Sequence, residues 1–165
     1  MMDLLPIPDD SMEPDARLDL LRQLDTSMKA IRKELLQQLA DALASTGWSP
    51  HELAILDNVH RGGPLTQTEL AARLMLDPAA ISRIVAKLRD DGHVQTDVDP
   101  ADRRARRVSL TASGQQLYGE TLYPLFRDVM LERFAGVTDA QLHRMLSSYR
   151  EVATALGITL EPGEG

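Results

Sequence analysis

The chain has 165 residues, of which 43% are hydrophobic and 26% charged, and a formal net charge of −7, the profile of a globular protein of about one domain. It contains no cysteine, which excludes disulfides, thiolate zinc sites, iron–sulfur clusters and thiol-based redox sensing. No apolar stretch reaches the roughly 18 residues of a membrane-spanning helix, and no basic region followed by an apolar core stands at the N-terminus, so the expected location is cytoplasmic, with no membrane partner.

Residues 1–13 hold two prolines and several acids without a helical period, and read as a flexible arm. From Pro14 onward, Leu21, Leu24, Met28, Ile31, Leu35, Leu39 and Leu43 recur at steps of three and four, marking one face of a long helix that ends near Gly47. At 1.5 Å per residue it would run for roughly 45–50 Å. That exceeds what a domain of this size needs for its own core and points to a partner subunit.

Ser49-Pro50-His51-Glu52 is a capping box with proline at the first helical position. It opens a helix at Pro50 that turns Leu53, Leu56 and Val59 inward and stops at Gly62-Gly63-Pro64. Thr66-Gln67-Thr68-Glu69 repeats the pattern and opens a short helix with Leu70, Ala71 and Leu74 on one side. Asp77-Pro78 opens another, whose apolar set is Ile81, Ile84, Val85 and Leu88, so the pair has helix-turn-helix spacing. The opposite face of the second helix presents Ala79, Ser82, Arg83, Ala86 and Lys87. Small residues, a hydroxyl and two cations suit a helix entering a major groove; they suit a solvated face equally well.

Gly92 stops this helix, and Val94-Gln95-Thr96-Asp97-Val98 alternates like a half-buried strand. Asp99-Pro100-Ala101-Asp102 is turn chemistry and Arg106-Arg107-Val108-Ser109-Leu110 a returning strand, which predicts a two-stranded hairpin with arginines at its tip. Between Asp77 and Leu110, seven Lys/Arg stand against six Asp/Glu, a balance of +1 where the remainder carries −8. Any basic footprint is thus small and sharply placed on an acidic body that repels DNA elsewhere. Thr111 caps the next helix, which carries Leu117, Leu122, Leu125 and Val129 to about Ala135; Pro124 predicts a kink or break near Tyr123. The last helix starts at Thr138, with Gln141 completing a capping box. It is expected to bury Leu142, Met145, Tyr149, Val152 and Leu156 and to end at Gly157, leaving 158–165 as a frayed tail.

With aromatics at 4%, this order of elements predicts a mainly α fold. His51, His60, His93 and His143 form no one-face pair for a metal. The serines lack a nucleophile elbow and the glycines form no phosphate loop. No metal, no cofactor and no catalytic activity are therefore expected.

The runs Gly63-Pro64-Leu65-Thr66-Gln67-Thr68-Glu69-Leu70-Ala71, Ile81-Ser82-Arg83-Ile84-Val85-x-x-Leu88 and Asp99-Pro100-x-Asp102-Arg103-Arg104-Ala105-x-x-Val108-x-Leu110-Thr111-x-x-Gly114 resemble the MarR family of winged helix-turn-helix regulators. The likeness covers roughly residues 15–157. It implies a DNA-binding lobe over 48–110, with a β-hairpin wing, and a helical dimerisation region over 14–47 and 111–157. A homodimer would set its recognition helices about 34 Å apart, one turn of duplex, on a near-palindromic operator. Asp102 would orient Arg104 into a minor groove, with Arg103, Arg106 and Arg107 as phosphate or wing-supporting contacts. The plainer reading of Asp102 and Arg104 is a surface ion pair that stiffens the hairpin.

The resemblance also implies a small amphipathic or aromatic effector in a cleft near Trp48, His51, Leu117 and Leu122, and a repressor released by that ligand. Trp48, just ahead of a helix cap, suits either a lid or a packing anchor. The rival function is a winged-helix module for protein–protein contact that uses the acidic body and leaves DNA alone.

Overall fold

A computed structural model describes residues 12–100, 102–103 and 105–158. Of the expected arm only Met12 and Glu13 fall within it, and the tail beyond Ile158, Ala101 and Arg104 lie outside the described residues. The chain divides into two compact units, Met1–Gln37 and Gln38–Gly165. Helix α1, Pro14–Leu43, crosses that division. In the first unit α1 exposes Leu18, Leu21, Leu24, Met28 and Ile31.

The second unit is built where the caps place its helices. Helix α2 (Pro50–Gly62) starts at a full capping box in which Ser49 Oγ accepts from Glu52 N while Glu52 Oε2 accepts from Ser49 N. Thr66 and Glu69 do the same for α3 (Gln67–Leu74), and Asp77 accepts from Ala79 and Ala80 amides to open α4 (Pro78–Asp90). Side chains that satisfy free first-turn amides decide each start. Leu39, Leu43, Leu53, Ile55, Leu56, Leu70, Ile81, Val85 and Leu88 then form one core with the small sheet.

That sheet has three antiparallel strands in the order β1-β3-β2, where β1 is Leu65–Thr66, β2 is Val94–Val98 and β3 is Arg106–Leu110. Leu65 pairs with Val108 and Val94 with Leu110. The expected two-stranded hairpin therefore gains a third strand. Two residues are too few to alternate, and Thr66 is at once strand residue and N-cap, since a cap residue takes extended dihedrals. The capping signal hid the strand.

After the sheet, α5 (Ala112–Leu117) continues through a π-helical turn, Tyr118–Leu122, into α6 (Tyr123–Arg133). The kink or break expected from Pro124 near Tyr123 takes the form of a widened, π-helical turn that ends there. Tyr123 N–H bonds Tyr118 O, five residues back, immediately ahead of the proline, so the helix absorbs the missing donor by changing its register. Helix α7, Asp139–Ala155, starts at the expected Thr138–Gln141 box. The expectation that it buries Leu142, Met145, Tyr149, Val152 and Leu156 is corrected: all five are exposed, and among its described residues only Ala153 is buried. Periodicity locates an apolar face without saying that the same chain covers it. No helix among the described residues is long and apolar enough to cross a membrane.

The start of α5 is locked onto the turn after α4. Thr111 N donates to His93 O (3.1 Å) and Thr111 Oγ1 to Gly92 O (2.7 Å). Gly114 is buried, and a Cβ there would lie 1.9 Å from the His93 carbonyl oxygen, a backbone atom that cannot swing away. Gly114→Ala should cost about 2 kcal/mol or more through overpacking. A urea unfolding midpoint equal to that of the unchanged chain would count against this contact.

Candidate nucleic-acid interface

Between α3 and α4 the chain turns at Met75, whose φ of 52° lies in the left-handed region, a strained cap for a residue with a side chain. Helix α4 buries Ile81, Val85 and Leu88. Its other side leaves Ala79, Ser82, Arg83 and Lys87 exposed and Ala86 half-buried. The five candidates thus share one side of one helix.

Lys87 differs from its neighbours. Its ammonium donates to Glu52 Oε1, lies 3.5 Å from Asp91 Oδ2 and sits 5.4 Å from the centroid of the Trp48 ring. Glu52 is only 5% exposed, and its other oxygen accepts from the Ser49 amide and hydroxyl, each at 2.7 Å. Burial pushes the Glu52 carboxyl up, but the Lys87 ammonium and the two Ser49 donors outweigh it and hold the pKa below 4.5. Sequence reasoning saw Glu52 only as a cap. Its partner lies 35 residues away, beyond any local pattern.

The wing has a comparable anchor in Asp99, read from the sequence as turn chemistry but 5% exposed in the fold. Arg107 Nε donates to Asp99 Oδ2 at 2.8 Å and Arg107 Nη1 to the Pro64 carbonyl at 3.1 Å. Asp99 N also bonds Ala105 O, and Ala105 N bonds Asp102 O. Arg107 is therefore turned inward, tying the wing to the loop ahead of α3. Arg103 and Arg106 are exposed, with no ion pair among the described residues, and Asp102 is exposed at the turn. Arg104 lies outside the described residues.

Of the four effector-cleft candidates, Trp48, Leu117 and Leu122 lie in or against the one hydrophobic core, and His51 is exposed. Trp48 is half-buried against the core, its ring edge-on to His93 at 5.3 Å, which makes it a packing anchor. His51 is exposed, Leu117 half-buried and Leu122 fully buried, so Leu122 presents no surface to a ligand. A concavity of about 540 Å³ lies instead at the C-terminal end of α2, walled by His60, Tyr118, Tyr123 and Phe126 with Arg61 and Arg127 at its lining. None of the four expected residues lines it. Tyr118 Oη donates to Asp57 Oδ1 at 2.6 Å, and Arg61 Nε donates to the same oxygen at 3.0 Å. Burial, then the Asp57 bond, push the phenol of Tyr118 up and keep it protonated. His60 stacks on Tyr118 with centroids 4.6 Å apart. No group of three or more metal-ligating side chains occurs among the described residues.

Residues 46–105, which span the helix-turn-helix and the first strand and turn of the hairpin, match the family model described as MarR family. The HTH-type transcriptional regulator Mb0904 of Mycobacterium bovis is 32% identical over 106 residues, covering 64% of this chain and 70% of that protein. The chain belongs to the MarR family. Among solved MarR-family structures, an operator-bound MarR mutant from E. coli aligns with a TM-score of 0.68 at 19% identity, over 81% of this chain and 96% of that one. CouR from Rhodococcus jostii RHA1, bound to p-coumaroyl-CoA, aligns with a TM-score of 0.69 at 22% identity, over 84% and 95%. At these identities the two structures speak for a shared MarR fold.

The Glu52 carboxyl carries a pH signature. Its pKa is depressed in the folded chain, so its contribution is present above 4.5 and lost as pH falls through the lower folded value. Glu52→Gln keeps the capping box but removes the charge facing Lys87. Near pH 7 it should destabilise by about 2 kcal/mol, and the gap should be smaller at a pH below 4.5. Urea midpoints at the two pH values test this; a gap that widens in acid would refute the pairing.

Proposed function

We propose that this MarR-family chain is a sequence-specific DNA-binding repressor that acts as a homodimer, with α4 in the major groove and the wing arginines on the adjacent minor groove and backbone. One observation supports this most directly. Within the winged-helix lobe Arg61, Lys87, Arg89 and Arg107 each hold a carboxylate, whereas Arg83, Arg103 and Arg106 are exposed and hold none among the described residues. Three arginines without counter-charges, on a recognition helix and a hairpin, are the donors a phosphate backbone and base edges require. Arg104 joins them by its place in the Asp102-Arg103-Arg104 motif, with Asp102 as its orienting carboxylate.

The apolar stripe of α1 and the exposed Leu142, Met145, Leu146, Tyr149 and Val152 of α7 support dimerisation. Each exposed face costs about 25 cal/mol per Å² of apolar surface until something covers it, and a second copy offers matching faces by symmetry. A small aromatic effector fits the concavity beside His60, Tyr118 and Phe126. Repression would be relieved when the ligand prefers the DNA-incompetent dimer by about 2–4 kcal/mol.

Genomic fragments retained by the purified chain provide the probe. With about eight phosphate contacts per dimer, log K should fall against log salt with a slope near −7. Arg83→Ala and Arg104→Ala should each weaken binding by about tenfold or more, with the dimer intact by analytical ultracentrifugation. No affinity for duplex at physiological salt would replace this reading with that of a protein-binding module; unchanged affinity in either variant would remove that arginine from the interface.

A further inference from the structure

The two cations on the outer side of α4 are held differently. Arg83 projects with no ion pair among the described residues. Lys87, one helical turn on, donates its ammonium to the buried capping carboxylate of α2. The Glu52 side chain is 7% exposed, so little water reaches the oxygen that Lys87 serves. The remaining oxygen is already occupied by both donors of Ser49. If the ammonium left for a phosphate, a buried carboxylate would lose its counter-charge. The Trp48 ring, edge-on to His93, has its centroid 5.4 Å from the ammonium, on a side chain that remains 54% exposed. The Glu52 bond holds the Lys87 pKa above 10.5, which agrees with the geometry.

Elsewhere α4 meets the core through Ile81, Val85 and Leu88. Apolar contacts resist separation but allow small rotations, because they are not directional. A functional array tolerates an orientation error of only about 10–20°. The Lys87–Glu52 bond is directional and ties the outer side of α4 to the fixed N-terminus of α2.

We infer that Lys87 is a positioning residue rather than a DNA contact: it stays on Glu52 in the DNA complex and sets the rotation of α4, and so the angle at which Ser82 and Arg83 meet the groove. This rests on the reading of α4 as the recognition helix.

The test uses the full chain and a fluorescein-labelled duplex of about 30 base pairs, selected from a random-sequence pool by the unsubstituted protein. Lys87→Met should lower affinity about tenfold while leaving the slope of log K against log salt unchanged, because no phosphate contact is lost. Lys87→Arg, which can still reach Glu52, should recover most of that loss. Glu52→Gln should weaken binding about as much as Lys87→Met, and the double variant should be no weaker than either single. Trp48, the only tryptophan, gives an independent readout: its emission should change in Lys87→Met but not when duplex is added to the unsubstituted protein.

Lys87 as a phosphate contact makes opposite predictions. The salt slope would shrink by about 1 per protomer in Lys87→Met, Glu52→Gln would tighten binding by releasing the ammonium, and duplex would move Trp48 emission toward that of Lys87→Met. Any one of these overturns the inference. Circular dichroism at the titration temperature excludes unfolding as the cause of a loss; should Glu52→Gln unfold, the slope and rescue by Lys87→Arg decide. If the unsubstituted protein selects no duplex, the recognition-helix reading fails and takes this inference with it.

Discussion

One buried carboxylate joins two jobs that are usually separate. Glu52 closes the first turn of α2 through Ser49 and at the same time holds Lys87 of α4. Taking a carboxylate out of water is unfavourable, and only a nearly complete set of donors reverses that. Here both oxygens are occupied, and the charged form is favoured in spite of burial. Helix α2 also meets the π-helical turn and the concavity at its far end through Asp57, His60 and Arg61. A single 13-residue helix thus stands between the proposed DNA-reading helix and the proposed effector site.

The wing follows the same logic at smaller scale. Arg107 and Asp99 neutralise each other, with Asp99 buried, while Arg107 reaches back to the Pro64 carbonyl. Backbone contact between Gly114 and His93 holds the opposite end of the hairpin against α5. In the proposed DNA complex, a hairpin held in this way would present Arg103 and Arg106 with little loss of conformational freedom on binding, which favours affinity without further contacts. On a chain of net charge −7, dividing the cations between internal partners and positions without an ion pair among the described residues leaves Arg83, Arg103 and Arg106 as the cations available to a polyanion.

The apolar faces of α1 and α7 need a different explanation. Their helical periods are regular and α7 starts at a full capping box, yet the hydrophobic residues of their apolar faces are exposed. Local propensity makes the helices, and the proposed dimer would complete them by intermolecular burial. The concavity beside Tyr118 depends in turn on the π-helical turn, since a widened turn shifts the register of every later residue on that helix.

Hydrogen bonds that close within three residues were legible from the chain alone. Ser49 with Glu52, Thr66 with Glu69 and Thr138 with Gln141 mark helix starts because a side chain and a nearby amide meet whatever the rest of the molecule does. The β2 strand was legible from alternation and β3 as the strand returning from the turn chemistry at Asp99–Asp102. Tertiary structure alone decided that Lys87 belongs to Glu52, that Asp99 is buried under Arg107, that Leu65–Thr66 forms a strand and that the concavity lies away from Trp48. Those outcomes depend on which surfaces pack together, across 35 residues for Lys87 and Glu52 and 43 for Arg107 and Pro64; even Asp99 and Arg107, eight residues apart, lie beyond the reach of a local capping pattern. A charged side chain keeps the same local preferences whether it ends on a neighbouring carboxylate or in solvent; packing makes that choice through the desolvation it imposes.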